Sequence, residues 1–362
     1  MRSLRNLAPD WEFHGRGGPR MKAIAGDGFS NWIDAAAVVG LWEVVKHYGY
    51  FRKQFAETLE EIATTKPDAL VLIDYPGFNL RIARTVRARA PDSKIIYYIS
   101  PQVWAWNRGR IAHMARYLDL MLCIFPFEAK LYNASGLRTI FVGHPMIENL
   151  AKRRTGEARD PNLIGLFPGS RAREVKKILP VLLETAREIL ARRPTSRFEI
   201  AAASVALTAE IQSFLSGFSL RNRVAVVTGD SSGTMQRAFA GMVASGTATL
   251  ESAYFRMPFV LVYKVSWPTY LGGRLLIRTR FLGMPNVLAD REVVPEFLQH
   301  EARPKAIADS VLQLMNESTR REKMIADFDA IIASLGETGA SEKAARAILS
   351  ELGTRTNGDR IN

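Results

Sequence analysis

ALVLIDYPGFNLRIARTVRARAP, residues 69–91, contains the unit that decides the fold of this chain. The apolar run at 69–73 has the length of a buried strand, and the residues that follow Phe78 have helical periodicity. Asp74 and the pair Pro76-Gly77 separate the two, so the stretch predicts a strand, a turn and a helix. This succession is the repeating unit of parallel α/β sheets.

The same alternation continues along the chain and predicts two α/β domains. Further apolar runs typical of strands lie at 94–99, 119–125, 139–143, 163–169, 198–202, 224–229, 241–245 and 258–263. A charged stretch, AKRRTGEARDPN, interrupts the pattern and is predicted to be a linker. We therefore expect two Rossmann-like domains that face each other across a cleft. The expected divisions are 1–150, the linker 151–162, 163–335, and a C-terminal helix with a frayed tail at 336–362.

Composition limits the classes of protein to which the chain can belong. Its 362 residues carry a net charge of +13, with a pI near 9.9, which favours anionic partners such as phosphorylated ligands or an acidic membrane surface. Nucleic acid is not expected, because the basic residues are dispersed and no recognition motif is present. The single Cys123 excludes an internal disulfide and indicates a reducing compartment.

The N-terminus has no signal-peptide core, and no apolar run approaches the length of a membrane-spanning helix. We therefore expect a cytosolic chain that can lie on a membrane surface. No spacing of His, Cys and carboxylate residues is typical of a metal site, so we expect neither a metal nor a cofactor.

Asp74 follows directly after a predicted strand, at the position where parallel α/β sheets bind their ligands. A carboxylate there suits a general base. The alternative is an ordinary helix N-cap or turn residue, because Asp favours both positions.

The stretch FPGSRAREV, residues 167–175, has the pattern of a phosphate-binding turn. A strand ends, Gly169 and Ser170 form a tight turn, and a helix begins. Backbone N–H groups at a helix start bind phosphate, and Arg171 can add a charged fork to a diphosphate. The alternative is an ordinary turn with a solvated Arg.

A second turn of this kind occurs in ASGTATLES, residues 244–252. The predicted diphosphate contacts are Ser245, Gly246 and Thr247, and the carboxylate of Glu251 could accept ribose hydroxyl groups. The alternative is a capped helix whose dipole favours an acid in the first turn. Two such turns in one domain predict a nucleotide diphosphate held between them. Asn286, in MPNVLADRE, is either a turn residue or a polar contact in the same site.

Two segments, 38–55 and 264–283, mix basic residues with large apolar ones. This composition suits an interfacial helix on anionic lipid, and the alternative is a core helix with a solvated basic face. The predicted membrane or acyl-chain contacts are Trp42, Tyr48, Phe51, Trp267, Arg274 and Arg278.

Taken in order, the motifs resemble the lipid-A-disaccharide synthase family. The resemblance runs from about residue 17 to about residue 349 and rests on the ordered set IDYPGFN, YYISPQVWAWNRGRI, PFE, GHPM, FPGSRAREV, ASGTATLE and MPNVLA. It implies an inverting glycosyltransferase with two Rossmann-like domains (the GT-B architecture) and no metal. The implied substrates are UDP-2,3-diacylglucosamine and 2,3-diacylglucosamine 1-phosphate, at the cytoplasmic face of the inner membrane of Gram-negative bacteria. A homodimer is one expected assembly, since members of the family can dimerise.

The resemblance also implies roles for single residues. Asp74 matches the general base that takes the proton of the acceptor 6-hydroxyl, and Arg171 matches an essential Arg near the departing diphosphate. The nucleotide contacts carried over are Gly169, Ser170, Ser245, Gly246, Thr247, Glu251 and Asn286. The resemblance implies no role for Trp104-Ala105-Trp106, although this segment is among the most diagnostic.

The chain departs from the family pattern in two places. The usual opening strand with its GExSGD-like turn is absent, and we expect an upstream start codon rather than a truncated, inactive form. Gly77 stands where some relatives carry a second acid, which leaves Asp74 as the expected single base. The alternatives are a GT-B enzyme of the peptidoglycan lipid-intermediate type and an inactive membrane-bound UDP-sugar binder.

Overall fold

Two compact units make up the chain, which is described here from a computed structural model. The first unit comprises residues 1–145 and 337–362, and the second comprises residues 146–336. The structure describes residues 1–32, 48–105, 109–218, 220, 222–266 and 279–356.

The first unit contains a four-stranded and a two-stranded parallel sheet. The larger sheet has the order β3 (Ala69–Ile73), β4 (Lys94–Tyr98), β5 (Leu120–Cys123) and β6 (Thr139–Phe141). The smaller one pairs β1 (Gly15–Gly17) with β2 (Phe29–Asn31). The α-helices are Arg2–Leu7, Pro19–Ala25, Tyr48–Thr65, Pro76–Arg89, Gly109–Met114, Pro126–Asn133 and Ala340–Thr356, with a 3₁₀ turn at Val103–Ala105.

Strand periodicity divides the core of this unit between the two faces of the larger sheet. On β4, Ile95 and Tyr97 pack in one buried cluster with the helix Pro76–Arg89, while Ile96 packs in the other. The second cluster is closed by the helix Ala340–Thr356, which the sequence had assigned to a separate segment, 336–362. That assignment is corrected here, because the apolar stripe of this helix is buried on the first unit.

An ion cluster around the buried Glu351 carboxylate fastens this C-terminal helix to the sheet. The Glu351 carboxylate, 4% exposed, contacts Lys94 Nζ and Arg138 Nη1 at 2.5 Å each. Because removal of the Glu351 charge leaves the largely buried Lys94 ammonium without its partner, we expect Glu351→Gln to lower the free energy of unfolding by about 3 kcal/mol.

The measurement is urea unfolding of the wild type and the variant. Glu342→Gln is the matched control, since Glu342 pairs with Arg346 on the exposed side of the same helix and should cost less than about 1 kcal/mol. Equal effects of the two substitutions would contradict a special role for the Glu351 cluster.

The second unit contains a six-stranded, all-parallel sheet with the order β12-β11-β10-β7-β8-β9. The strands are β7 (Asp160–Phe167), β8 (Arg197–Ala202), β9 (Val224–Thr228), β10 (Ala238–Ala244), β11 (Phe259–Tyr263) and β12 (Glu296–Leu298). The helices are Met146–Ala151, Ala172–Arg192, Val205–Leu215, Ser231–Arg237, Ala248–Tyr254, Met284–Ala289, Pro304–Asn316 and Ser318–Ser334, with a 3₁₀ turn at Gln299–Glu301.

The strand order of the second unit is that of a doubly wound fold. Numbered from β7 as the first strand, the sheet reads 3-2-1-4-5-6, and the direction of winding reverses between β7 and β10. In such sheets the crevice beyond the carboxyl ends of the strands at this switch point binds the ligand. The topology therefore marks the loops after β7 and β10 as a candidate site.

Every strand predicted from an apolar run is present within a few residues, and the predicted α/β class with two Rossmann-like domains is confirmed. The predicted linker 151–162 is corrected, because β7 already begins at Asp160. The short strands β1, β2 and β12 were not predicted, since three residues are too few to show a period. Among the described residues, no helix has the length and apolar character needed to span a membrane.

Candidate active site

Asp74 lies at the carboxyl end of β3, in a left-handed backbone conformation that is uncommon for residues other than glycine. The Asp74 N–H still donates to the Tyr98 carbonyl at 2.9 Å, and then Asp74 and Tyr75 both turn left-handed, with φ of +48° and +47°. Each such residue costs on the order of 1–3 kcal/mol, and such strain concentrates at functional sites. The Asp74 side chain is exposed.

Two side chains hold this turn in place. Asn79 Nδ2 donates to the carbonyl oxygens of Ile73 and Asp74, at 3.1 and 2.7 Å. The Tyr97 hydroxyl donates to the same Asp74 carbonyl at 2.6 Å. The helix N-cap is Tyr75, without a side-chain bond, so of the two alternatives to a general base, N-cap or turn residue, Asp74 is not the cap but does lie in the turn. Its carboxylate is left to face outward.

An aromatic cluster lies beside the Asp74 turn. The Tyr75 ring is 5.8 Å from the Trp32 ring, 6.3 Å from that of Phe78 and 6.4 Å from that of Phe51. Phe51, a predicted membrane or acyl-chain contact, is half-buried in this cluster. The other predicted contacts lie outside the described residues: Trp42, Trp267, Arg274, Arg278 and the side chain of Tyr48.

A buried carboxyl group lies at the same edge of the sheet. Glu128, fully buried, accepts hydrogen bonds from Ser100 Oγ at 2.5 Å and from Trp104 Nε1 at 2.8 Å. The Phe125 N–H also donates to it, at 3.3 Å. The sequence analysis noted the motifs SPQVWAW and PFE, which contain these side chains. It did not predict that Ser100 and Trp104 of the first motif contact Glu128 of the second.

Burial raises the pKa of Glu128 from its ordinary 4.5 to about 7, against the effect of its hydrogen bonds. Between these two pH values the folded chain keeps a proton on Glu128 that the unfolded chain has released. This contribution to stability is therefore fully present below pH 4.5 and is lost as the pH rises through about 7.

We expect the stability difference between the wild type and Glu128→Gln to fall by about 1.4 kcal/mol per pH unit over this window. The check is urea unfolding of both proteins from pH 4 to 8. Burial lowers the pKa of the neighbouring His144 to about 4, which gives the opposite trend, but His144 is present in both proteins and cancels in the difference. Parallel stability curves would contradict the prediction.

In the second unit, the turn Gly169–Arg171 follows β7 at the switch point. Gly169 has a φ of +112°, and a Cβ there would collide with the Glu174 carboxylate, so the position needs glycine. The helix Ala172–Arg192 begins immediately afterwards and is long enough for its N-terminus to favour an anion.

The side chain of Glu174 places a carboxylate against the turn Gly169–Arg171. Its Oε2 accepts from the Ser170 N–H at 3.2 Å, and its Oε1 contacts Arg171 Nη1 at 3.0 Å. Tyr263, at the end of β11, is close enough for Glu174 to raise its pKa and Arg171 to lower it, although burial is the main cause of its raised pKa. The sequence analysis missed both residues; an acid three positions after the N-cap was the available signal for Glu174.

The turn Ser245–Thr247 follows β10, the strand next to β7. Val243 is the register partner of Phe167, so this turn and Gly169–Arg171 leave the sheet side by side, as the paired motifs predicted. The helix that follows, Ala248–Tyr254, has only 7 residues, so its dipole is weaker than that of the helix after β7.

Glu251 lies half-buried behind the second turn. The Thr247 hydroxyl donates to its carboxylate, and Arg153 lies near enough to lower its pKa. Burial is the larger effect, and it raises the pKa of Glu251. The Glu251 carboxylate is therefore held in place by Thr247 and lies close to Arg153. This arrangement suits the predicted role of Glu251 in binding ribose hydroxyl groups.

Asn286 is completely buried, and its side chain is occupied by the protein itself. Its Nδ2 donates to the Val294 carbonyl and to Glu296 Oε1, both at 2.8 Å, and its Oδ1 accepts from the N–H groups of Val293 and Val294. These bonds use all its hydrogen-bonding capacity. The predicted nucleotide contact is therefore corrected to a structural role: Asn286 ties its short helix to the segment that leads into β12.

The structure thus groups the predicted residues by unit. Asp74 lies in the first unit, while Arg171 and the two turns after β7 and β10 lie together in the second. In the described part of the chain, no group of His, Cys, Asp or Glu side chains could hold a metal ion.

Comparisons with known proteins agree with this architecture. The family model of lipid-A-disaccharide synthetase matches residues 1–349. The chain is 38% identical to lipid-A-disaccharide synthase of Geobacter metallireducens, over 96% of this chain and 92% of that protein. It is 36% identical to that of Coxiella burnetii, with the same two coverages.

A solved structure supports the fold alone. The N-terminal domain of Candida albicans trehalose-6-phosphate phosphatase matches with a TM-score of 0.56 at 12% identity, over 97% of this chain and 92% of that one. The sequence matches are much closer and cover nearly the whole chain. This chain therefore belongs to the lipid-A-disaccharide synthetase family of glycosyltransferases.

Proposed function

We propose that the chain transfers 2,3-diacylglucosamine from UDP-2,3-diacylglucosamine to the 6-hydroxyl of 2,3-diacylglucosamine 1-phosphate. The products are the β-1,6-linked disaccharide 1-phosphate and UDP. The observation that carries the proposal is the pair of turns side by side at the switch point of the second unit, in a chain of this family. Such turns suit the diphosphate of a UDP-sugar.

The proposed first step assigns Asp74 as general base. Its exposed carboxylate takes the proton of the acceptor 6-hydroxyl as the oxygen attacks C1 of the donor sugar. The bond between C1 and the diphosphate oxygen breaks, and its electron pair leaves with UDP. Attack from the face opposite the leaving group inverts C1, so no covalent enzyme intermediate is needed.

The departing diphosphate gains charge, which the second unit can stabilise. Arg171, the Ser170 N–H and the start of the helix Ala172–Arg192 supply positive charge and donors without a cofactor. We also propose that Ser245, Gly246 and Thr247 bind the same nucleotide and that Glu251 holds its ribose. No metal is required by this scheme.

The test is direct synthesis. The purified chain is incubated in detergent with EDTA and both substrates, and the disaccharide 1-phosphate is sought by mass spectrometry. A parallel reaction contains undecaprenyl-linked muramyl-peptide as the acceptor. We expect product from the first reaction alone; product only from the second would replace the proposal by the peptidoglycan-type alternative.

Because both substrates carry acyl chains, we further propose that the chain binds the cytoplasmic face of the inner membrane. Its net charge of +13 predicts that binding to anionic vesicles weakens as salt rises, since screening shortens the Debye length from roughly 10 Å at 0.1 M to 3 Å at 1 M. Cosedimentation with vesicles in increasing NaCl measures this.

Replacement of Arg274 and Arg278 by Ser should reduce this binding. The matched control replaces Lys177 and Arg187, two exposed basic residues of the helix Ala172–Arg192, and removes the same charge. Cosedimentation that does not change with salt would exclude an electrostatic attachment.

A further inference from the structure

The segment Ile99–Ala105 lies next to the Asp74 turn. It follows β4 directly, and β4 pairs in parallel with β3, with Tyr98 opposite Ile73. The chain therefore leaves the sheet at Asp74 and at Ile99 on neighbouring strands and at the same level. The segment contains all of the diagnostic motif SPQVWAW except its last residue, Trp106.

The segment begins in a strained conformation. Ile99 has a φ of +66°, in the left-handed region that a β-branched side chain rarely adopts. Together with Asp74 and Tyr75 it places three left-handed residues at one edge of the sheet. Strain of this kind persists only where the surroundings over-determine it, and it concentrates at ligand sites.

Buried bonds hold the segment from beneath. Glu128 accepts from Ser100 and from the Trp104 indole, and the Tyr132 hydroxyl donates to the Pro101 carbonyl at 2.5 Å. Pro101, Val103 and Trp104 are buried, so the segment is packed on the core rather than free to move.

A carboxyl group at the fully buried position of Glu128 lowers the stability of the fold. Burial of an ionisable group costs several kcal/mol unless its partners compensate, and an apolar residue would fill the same space without that cost. The network of Glu128, Ser100 and Trp104 instead fixes one loop conformation beside the proposed base. Such a buried hydrogen-bond network, packed beneath a loop, is typical of residues that hold a binding surface in an accurate position.

We propose that Glu128 is a positioning residue: through Ser100 and Trp104 it fixes Ile99–Ala105 as the surface on which the acceptor sugar lies beside Asp74. This inference rests on the proposed function, because it names the acceptor side of that reaction. It assigns Glu128 no contact with the substrate.

The test separates acceptor from donor. Ser100→Ala removes one side-chain donor to Glu128 with little change of volume. Trp104→Phe keeps an aromatic six-membered ring and removes the other donor, the indole N–H, together with the five-membered ring that carries it. We expect each to lower kcat/KM for the acceptor about tenfold, the usual effect of one buried hydrogen bond. The KM for the UDP-sugar and the Kd for UDP should stay within about twofold.

Thr139→Val is the matched control. Thr139 is also buried in the first unit, and its hydroxyl donates to the Leu137 carbonyl at 2.8 Å, but it lies at the amino end of β6, away from the Asp74 edge. It should change stability without changing the kinetics of the acceptor. An unchanged acceptor kcat/KM in Trp104→Phe, or an equal loss in Thr139→Val, would overturn the inference.

Equilibrium binding of 2,3-diacylglucosamine 1-phosphate, measured by calorimetry below its micellar concentration, distinguishes the two proposals. If the wild type binds this acceptor without turnover, the proposed reaction fails, and weaker binding by Trp104→Phe alone still supports the positioning role. If the wild type does not bind it, both proposals are overturned.

Discussion

Asp74→Asn is expected to lower kcat by about 10²–10⁴-fold, the usual contribution of a general base. Asn is the appropriate substitution because it tolerates the left-handed conformation that Asp74 adopts, with φ of +48°. The hydrogen bonds that the Asn79 side-chain amide and the Tyr97 hydroxyl donate to the Asp74 carbonyl also remain. The loss should therefore report the missing base rather than a damaged turn, and it is measured as initial rates at saturating substrates.

Asp68→Asn provides the control for this substitution. Asp68 is an exposed Asp just before β3, at the amino end of the strand that carries Asp74 at its carboxyl end. It should retain nearly the wild-type rate, and both variants should melt close to the wild type. A rate near that of the wild type in Asp74→Asn would remove Asp74 from the mechanism.

Arg171→Ala is expected to lower kcat by about 10²–10³-fold, because one charged donor to the developing diphosphate charge is lost. Arg171→Lys should recover only part of the rate, since a point charge does not reproduce the guanidinium fork. Lys177→Ala, exposed on the same helix, is the control and should be nearly silent. Equal rates for Arg171→Ala and Lys177→Ala would exclude Arg171 from the catalytic step.

The contact between Arg171 and Glu174 allows a second test of the role of Arg171. Without Arg171, the Glu174 carboxylate stays beside the Ser170 N–H, at 3.2 Å, and repels an incoming phosphate. Glu174→Gln in the Arg171→Ala background should therefore restore part of the affinity for UDP. A double-mutant cycle measures this coupling, and additive effects would show that the two side chains act independently.

Asn286 combines a place in a diagnostic motif with a structural role. Its motif, MPNVLA, was among those that carried the family resemblance, yet the side chain is buried and fully bonded within its own unit. A residue that supports a diagnostic motif can serve the fold rather than the ligand. Exposed positions such as Ser170, Gly246 and Thr247 are therefore the stronger candidates for nucleotide contact.

The sequence by itself determined the class of fold, most of the strands and the positions of the two turns that follow β7 and β10. These features depend on local order: an apolar run of strand length, a glycine turn and a helical period are all visible within one short stretch such as residues 69–91. The family resemblance depends on the same kind of information, namely motifs in a fixed order.

The tertiary structure alone decided which side chains meet. Glu128 and Trp104 are 24 positions apart, and Glu351 lies 257 positions from Lys94, so no local pattern indicates either contact. The left-handed turn at Asp74 likewise depends on Tyr97, which the neighbouring strand supplies. Local periodicity specifies which helices and strands form. Neighbouring parallel strands, however, are joined by long crossover connections, so their residues are far apart in the sequence. Which side chains meet at one edge of a sheet is therefore decided by the order and register of the strands, which only the tertiary structure shows.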